Sequence, residues 1–194
     1  MRRTLIKAKK TSEKRFVCVA IHVKLFSFRS LCVFCLLTLS MSANPNEHEY
    51  QVKAAYLYNL TKFVVWPEFD HETFDICLLG TDPFGRYIQS IEQKKVAGRP
   101  IRLIRLMQFD ASKQCRILFI GGSAYHQFDQ ADYPEGMLTI SDRENFIDQG
   151  GMLALVVSEQ KVRVKINQDA LKQKKLKVSA KLLEVADCQG GLDD

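Results

Sequence analysis

Between residues 47 and 63 the apolar positions Val52, Ala55, Tyr56, Leu60 and Phe63 recur at the spacing of one helix face. The start of that helix is also spelled out. Asn44-Pro45-Asn46-Glu47 offers an Asn cap, a Pro in the first turn and an acid close behind. Trp66-Pro67 stops it, because Pro has no N–H and cannot continue a helical ladder. After that the period changes. "FDICLL" (74–79) reads as a strand, and a helix is predicted from about Pro83 to Gln93. "VAGRP" is a turn, and "IRLIRL" (101–106) alternates like a half-exposed strand. "CRILFIG" (115–121) is apolar throughout, like a strand covered on both faces.

Ser123 is placed to cap a short helix through Asp129, "GMLTIS" (136–141) is another strand, and "DRENFIDQ" another short helix. Gly150-Gly151 precedes two strands in "MLALVVSEQKVRVKIN", folded around a tight Glu159-Gln160 turn. "DALKQKKLKVSAKLLEVA" reads as helical to its end. Strands alternating with helices predict an α/β fold: an open, mostly parallel sheet flanked by helices, with a C-terminal β-hairpin and helix. The organisation expected is a leader over 1–43, one α/β domain over 44–188, and a flexible tail over 189–194.

Charge sharpens the first of these boundaries. The chain carries +6 overall, but residues 1–43 alone carry +8, nine basic residues against Glu13, so the remainder is slightly acidic. A basic leader on an acidic body is no nucleic-acid footprint. The leader ends in "LCVFCLLTL" (31–39) and then "SMSANP", the order of a secretory signal: basic, apolar, small. Cleavage after Ser42 or Ala43 would leave a periplasmic protein. The other reading is an uncleaved anchor, for which the apolar segment falls short of the ~20 residues a span needs. Removing the leader removes Cys18, Cys32 and Cys35, leaving Cys77, Cys115 and Cys188 in an oxidising compartment. Three is odd, so at most one internal pair forms.

Candidate chemistry is sparse. "GTDPFGRY" (80–87) spells two glycines five apart after a strand, as a phosphate-binding P-loop does, but Arg86 and Tyr87 stand where Lys and Ser/Thr are needed. Asp82 would repel phosphate, Pro83 removes an N–H donor, and Asp82-Pro83 fits better as the cap and first residue of the next helix. Ser123 follows Gly121-Gly122 without the second glycine of a nucleophile elbow. His48, His71 and His126 stand apart from any nucleophile or acid at a telling spacing, and no C-x-x-C zinc spacing occurs. No catalytic residue, metal site or cofactor is expected. The sequon at Asn59 lies inside a helix, and Lys172, Lys174, Lys175 and Lys177 read as a solvated helix face.

With chemistry absent, the activity expected is binding, which needs an exposed anchor. The hairpin offers Arg163, Lys165 and Glu159 on one alternating face, and Trp66 is a second candidate contact.

"VKAAYLYNLTKFVVWP", "ICLLGTDPFG", "CRILFIGGS", "MLTISDRENFIDQGGMLALVV", "VRVKIN" and "LKVSAKLLEVA" occur in that order over about residues 50–186. They resemble the YfiR family, also called the DUF4154 domain. The resemblance implies a periplasmic α/β protein without assigned catalytic residues. It implies a partner in an inner-membrane signalling protein, a diguanylate cyclase in the best-known case, with an outer-membrane lipoprotein relieving the repression; a homodimer is compatible with it. Some members accompany sensor kinases or outer-membrane receptors, so a small-ligand sensor is the alternative function. The resemblance also implies that Cys77 and Cys115 are a disulfide pair joining two strands, with Cys188 free or intermolecular. Residues 142–157 contain no cysteine, so the second pair of some relatives is missing, and Lys175 stands where relatives often have Gly.

Overall fold

The computed structural model describes residues 45–68, 70–128 and 133–190; Asn44 and the whole leader lie outside them. Helix α1 (Pro45–Phe63) runs into a short strand, β1 (Val64–Val65). There follow β2 (Phe74–Leu79), α2 (Arg86–Glu92), β3 (Lys95–Val96), β4 (Arg99–Leu106), β5 (Ile117–Ile120) and β6 (Leu138–Ser141). Strands β7 (Leu153–Ser158) and β8 (Lys161–Asn167), helix α3 (Gln168–Gln173), β9 (Lys177–Val178), α4 (Ala180–Leu183) and β10 (Asp187–Gln189) complete the order. Eight strands form one sheet in the order β10-β8-β7-β6-β5-β2-β4-β3, while β1 and β9 pair separately. Five of the seven pairings in the large sheet are parallel; β7–β8 and β3–β4 are antiparallel hairpins.

The sheet is therefore mostly parallel, as the alternation of strands and helices predicts, but its two faces differ. Ile76, Leu78, Ile117, Phe119, Ile140, Leu153 and Leu155 pack with residues of all four α-helices in one core. Cys77, Leu79, Leu118, Ile120, Ala154 and Val156 face the other way, under Phe146, Ile147, Tyr133 and Ala124 from the connecting segments. On that face the expected helices are reduced to short 3-10 turns at Gly122–Gln127 and Glu144–Phe146. Strands covered on both sides explain why "CRILFIG" is apolar without alternation.

Three local expectations are corrected. The face buried by α1 is rotated from the predicted one: Ala54, Leu57, Leu60 and Thr61 are buried, whereas Val52 and Tyr56 are half-buried and Ala55 is exposed. Apolar residues nearly encircle this helix, so spacing alone left its phase undetermined. Helix α2 begins at Arg86, three residues after Pro83. Asp82 Oδ1 accepts from the Phe84 and Gly85 N–H groups at 2.8 and 3.3 Å, capping a turn ahead of the helix. Ser123 caps nothing; its Oγ accepts from the Thr81 N–H at 2.8 Å.

The C-terminal run is not one helical segment. Lys175 adopts φ 57°, reversing the chain after α3, and β9 then pairs antiparallel with β1. Beyond α4 the chain adds β10 beside β8, through Gln189, a residue the sequence places in the tail. Propensity favours helix here, but hydrogen bonding to existing strands overrides it.

Candidate partner-binding groove

Helix α1 runs antiparallel to the parallel strands. Its first turns lie over their C-terminal ends, and its last turn delivers Trp66 to Phe74 at the start of β2, ring centroids 5.1 Å apart. Two residues hold the N-terminal half in place. Lys53, almost fully buried, pairs with Glu49 one turn back and lies 3.8 Å from Asp142, which follows β6. The Tyr50 hydroxyl donates to Asp142 Oδ2 at 2.7 Å. Burial, and then the Asp142 carboxylate, push the Tyr50 phenol well above its usual value, so it stays a donor. A buried ammonium is costly unless paired, so this cluster has one favourable rotation of the helix. That rotation turns Val52 and Tyr56 outward beside the β7–β8 hairpin.

The hairpin extends past the sheet. Leu153 and Ala154 pair with Ile140 and Ser141 at the end of β6, and the rest of β7 continues beyond with, among the described residues, only β8 beside it. Glu159 and Gln160 make the turn at φ 50° and 61°, both left-handed, as a two-residue hairpin turn requires. Register then sorts the side chains: Val157 pairs with Val162 and Leu155 with Val164 on the α1 side, and Val156 with Arg163 and Ala154 with Lys165 on the other.

Between α1 and this hairpin lies a groove of about 870 Å³. Val52 and Tyr56 line its helix wall, Val157 and Val162 its hairpin wall, and Val185 its rim. Val157 is 43% exposed and Val185 69%, two of the few large apolar residues left in solvent among the described residues. His48, Lys161 and Arg163 add polar and positive groups to the border.

The glycine motif makes no competing phosphate site. Its turn N–H groups are taken by Asp82, whose other oxygen accepts from Arg105 Nε at 2.9 Å. Gly80, at φ 85°, is required because a Cβ there would come within 2.7 Å of Ser123 and Ala124. Phe84 points inward and meets Tyr50 and Phe119 edge-on. The motif is a packing device that seats α1.

A family model described as YfiR/HmsC-like, DUF4154, matches residues 50–187, beginning at the Tyr50 of the α1 anchor and ending in β10. The chain belongs to the YfiR/HmsC-like family. A search of curated proteins gives no match. YfiR/HmsC-like domains are periplasmic regulatory domains, and one observation fits that setting. Cys77 of β2 and Cys115, just before β5, form a disulfide with Cα atoms 5.8 Å apart. Among the described residues no helix is long and apolar enough to cross a membrane.

The residues expected to bind a partner are only partly brought together. Glu159 and Arg163 approach within 3.6 Å at the hairpin tip, and Lys165 shares the Arg163 face one step along. Lys165 is half-buried and lies opposite Asp187 of β10. Trp66 is separated from them: it sits at the other end of α1, where its Nε1–H donates to the Thr61 carbonyl at 3.0 Å. With its N–H bonded and its ring on Phe74, Trp66 closes the end of the core. Cys188 is exposed and free, in β10. Spacing names Val52, as part of the helix's apolar face, but does not single out Val157, Val162 or Val185. Their one signal was a small apolar excess at a hairpin tip, where a solvated turn would be polar.

Proposed function

We propose that this YfiR/HmsC-like protein is a non-enzymatic periplasmic regulator. In this reading it binds and inhibits the periplasmic part of an inner-membrane signalling protein, a diguanylate cyclase of cyclic-di-GMP signalling. An outer-membrane lipoprotein that captures the regulator would relieve the inhibition. The observation that carries the reading is the half-open groove, with Val157 and Val185 in solvent beside Val52 and Tyr56. Exposed apolar residues with a polar, charged border mark interaction surfaces. Arg163, Lys165 and Glu159 at the same hairpin supply charge that would orient the partner. The test is tagged pull-down from inner membranes, with cyclic-di-GMP measured in the deletion strain. A co-purifying cyclase and raised cyclic-di-GMP are expected; neither would appear if the target is of another kind.

A second reading uses the same groove for a small ligand, as a sensor paired with a kinase or receptor. Its volume of about 870 Å³ is in the range of small-molecule pockets. A ligand-induced rise in melting temperature, without a membrane partner, would favour this reading.

A further inference from the structure

Strand β8 is covered on one side along its whole length and on the other along only half of it. Strand β7 pairs with it from Lys161 through Ile166, whereas β10 pairs only with Lys165, Ile166 and Asn167. The outer edge from Lys161 to Val164 has no strand beside it among the described residues. The groove is lined by these four residues in succession, Lys161, Val162, Arg163 and Val164. Alternate residues of a strand point to opposite faces, so four in a row, with Val185 beyond β8, carry the groove over the strand's open edge.

Natural sheets usually blunt such an edge with charge, Pro or a bulge. Here only one face is blunted. Lys161, Arg163 and Lys165 form a basic row on the face away from α1. On the α1 face the edge is flanked by Val162, Val157 and the exposed Val185, which leave it apolar and open.

We propose that this edge takes up an extended segment of the partner as an added strand, occupying the slot ahead of β10. The proposal rests on the reading of the groove as the partner site. Register gives the segment's chemistry. Residues falling beside Val162 and Val164 face α1 and are apolar; those falling beside Lys161 and Arg163 face the basic row and are acidic. The occupant is therefore an alternating apolar–acidic stretch, held by backbone hydrogen bonds and selected by side chains.

A second copy of this chain does not fit the slot. Pairing β8 with β8 would set Lys161, Arg163 and Lys165 against the same basic row, and like charges directly opposite are destabilising. Strand β10 does not extend into it either. Strand β10 runs parallel to β8 and leaves at the Asn167 end, away from Lys161.

The test is hydrogen exchange, resolved by residue, on the mature protein with a capped synthetic peptide of alternating valine and glutamate. Two control peptides are N-methylated at alternate backbone amides, one at each set. Expected is exchange slowed tenfold or more at the Val162 and Val164 amides, which point to the open edge while those of Lys161 and Arg163 bond β7, lost with one N-methylated peptide and kept with the other. Binding should weaken at least tenfold in Lys161→Glu/Arg163→Glu. The proposal is overturned if those amides are already protected without peptide, if both methylated peptides bind like the parent, or if nothing binds at millimolar peptide. If pull-down still depends on the hairpin while the amides stay unprotected, the groove remains the partner site and strand addition alone fails. If pull-down is also indifferent to the hairpin, both readings fail.

Discussion

The Tyr50 hydroxyl and Asp142 Oδ2 meet at 2.7 Å across 92 residues of sequence, tying the first turns of α1 to the end of β6. Tyr50→Phe keeps the ring against Phe84 and removes only this bond. It should cost about 1.5–3 kcal/mol, the scale of a hydrogen bond to a charged group. The alkaline limb should change as well. The folded phenol titrates above the unfolded one, so its contribution is complete below about pH 10 and is lost as pH rises beyond. Urea midpoints at neutral and alkaline pH should show wild type losing more stability than the variant over that window. Equal loss in both would mean that the bond does not form.

Reduction of Cys77–Cys115, which spans a sequence separation of 38, should cost about 3–4 kcal/mol in the chain-entropy description. The bond lies within the sheet, away from the hairpin, so the reduced protein should still bind its partner once folded. Non-reducing peptide mapping should recover the Cys77–Cys115 pair with Cys188 alkylated. A Cys188 link to either of the others would contradict this arrangement.

Lys175 holds φ 57°, a conformation that costs a side-chain-bearing residue about 1 kcal/mol and Gly almost nothing. Its Nζ pairs with Glu135 at 2.8 Å, but both side chains are exposed and such pairs contribute little. Lys175→Gly should therefore raise the melting temperature by roughly 2–4 °C. A fall would show that the ion pair outweighs the backbone.

Much of this architecture was legible in the sequence, and the exceptions share a cause. The strands at 74–79, 117–120 and 138–141 and the hairpin around Glu159-Gln160 follow from apolar runs and turn chemistry acting locally. The phase of α1 did not, because Val52, Ala54, Ala55, Tyr56 and Leu57 are all apolar and the rotation is selected by the contacts of Lys53 and Tyr50 with Asp142. The C-terminal segment departs from its helical pattern because β9 and β10 exist only where β1 and β8 are present to pair with them. The groove was invisible for the same reason. Its walls, Val52 and Val157, are a hundred residues apart, and Trp66, the conspicuous aromatic, turns out to be packed on Phe74.

Charge reversal on the hairpin should separate two roles. Arg163→Glu leaves the melting temperature nearly unchanged, since the side chain is exposed, and weakens partner binding. Lys165→Glu sets an acid opposite Asp187 and should loosen β10, lowering stability as well. Thermal melts beside quantitative pull-downs distinguish these outcomes; matching effects from both variants would remove Arg163 from the interface.

The most direct measurement is co-purification of the proposed partner, an inner-membrane diguanylate cyclase, with tagged wild type and with Val157→Asp/Val185→Asp. Both valines are exposed, so the variant should fold and melt within about 2 °C of wild type. A charge in an apolar groove opposes docking, and the account predicts at least tenfold less cyclase recovered, together with raised cyclic-di-GMP in cells. Full recovery and full repression by the folded variant would contradict the groove as the regulatory surface.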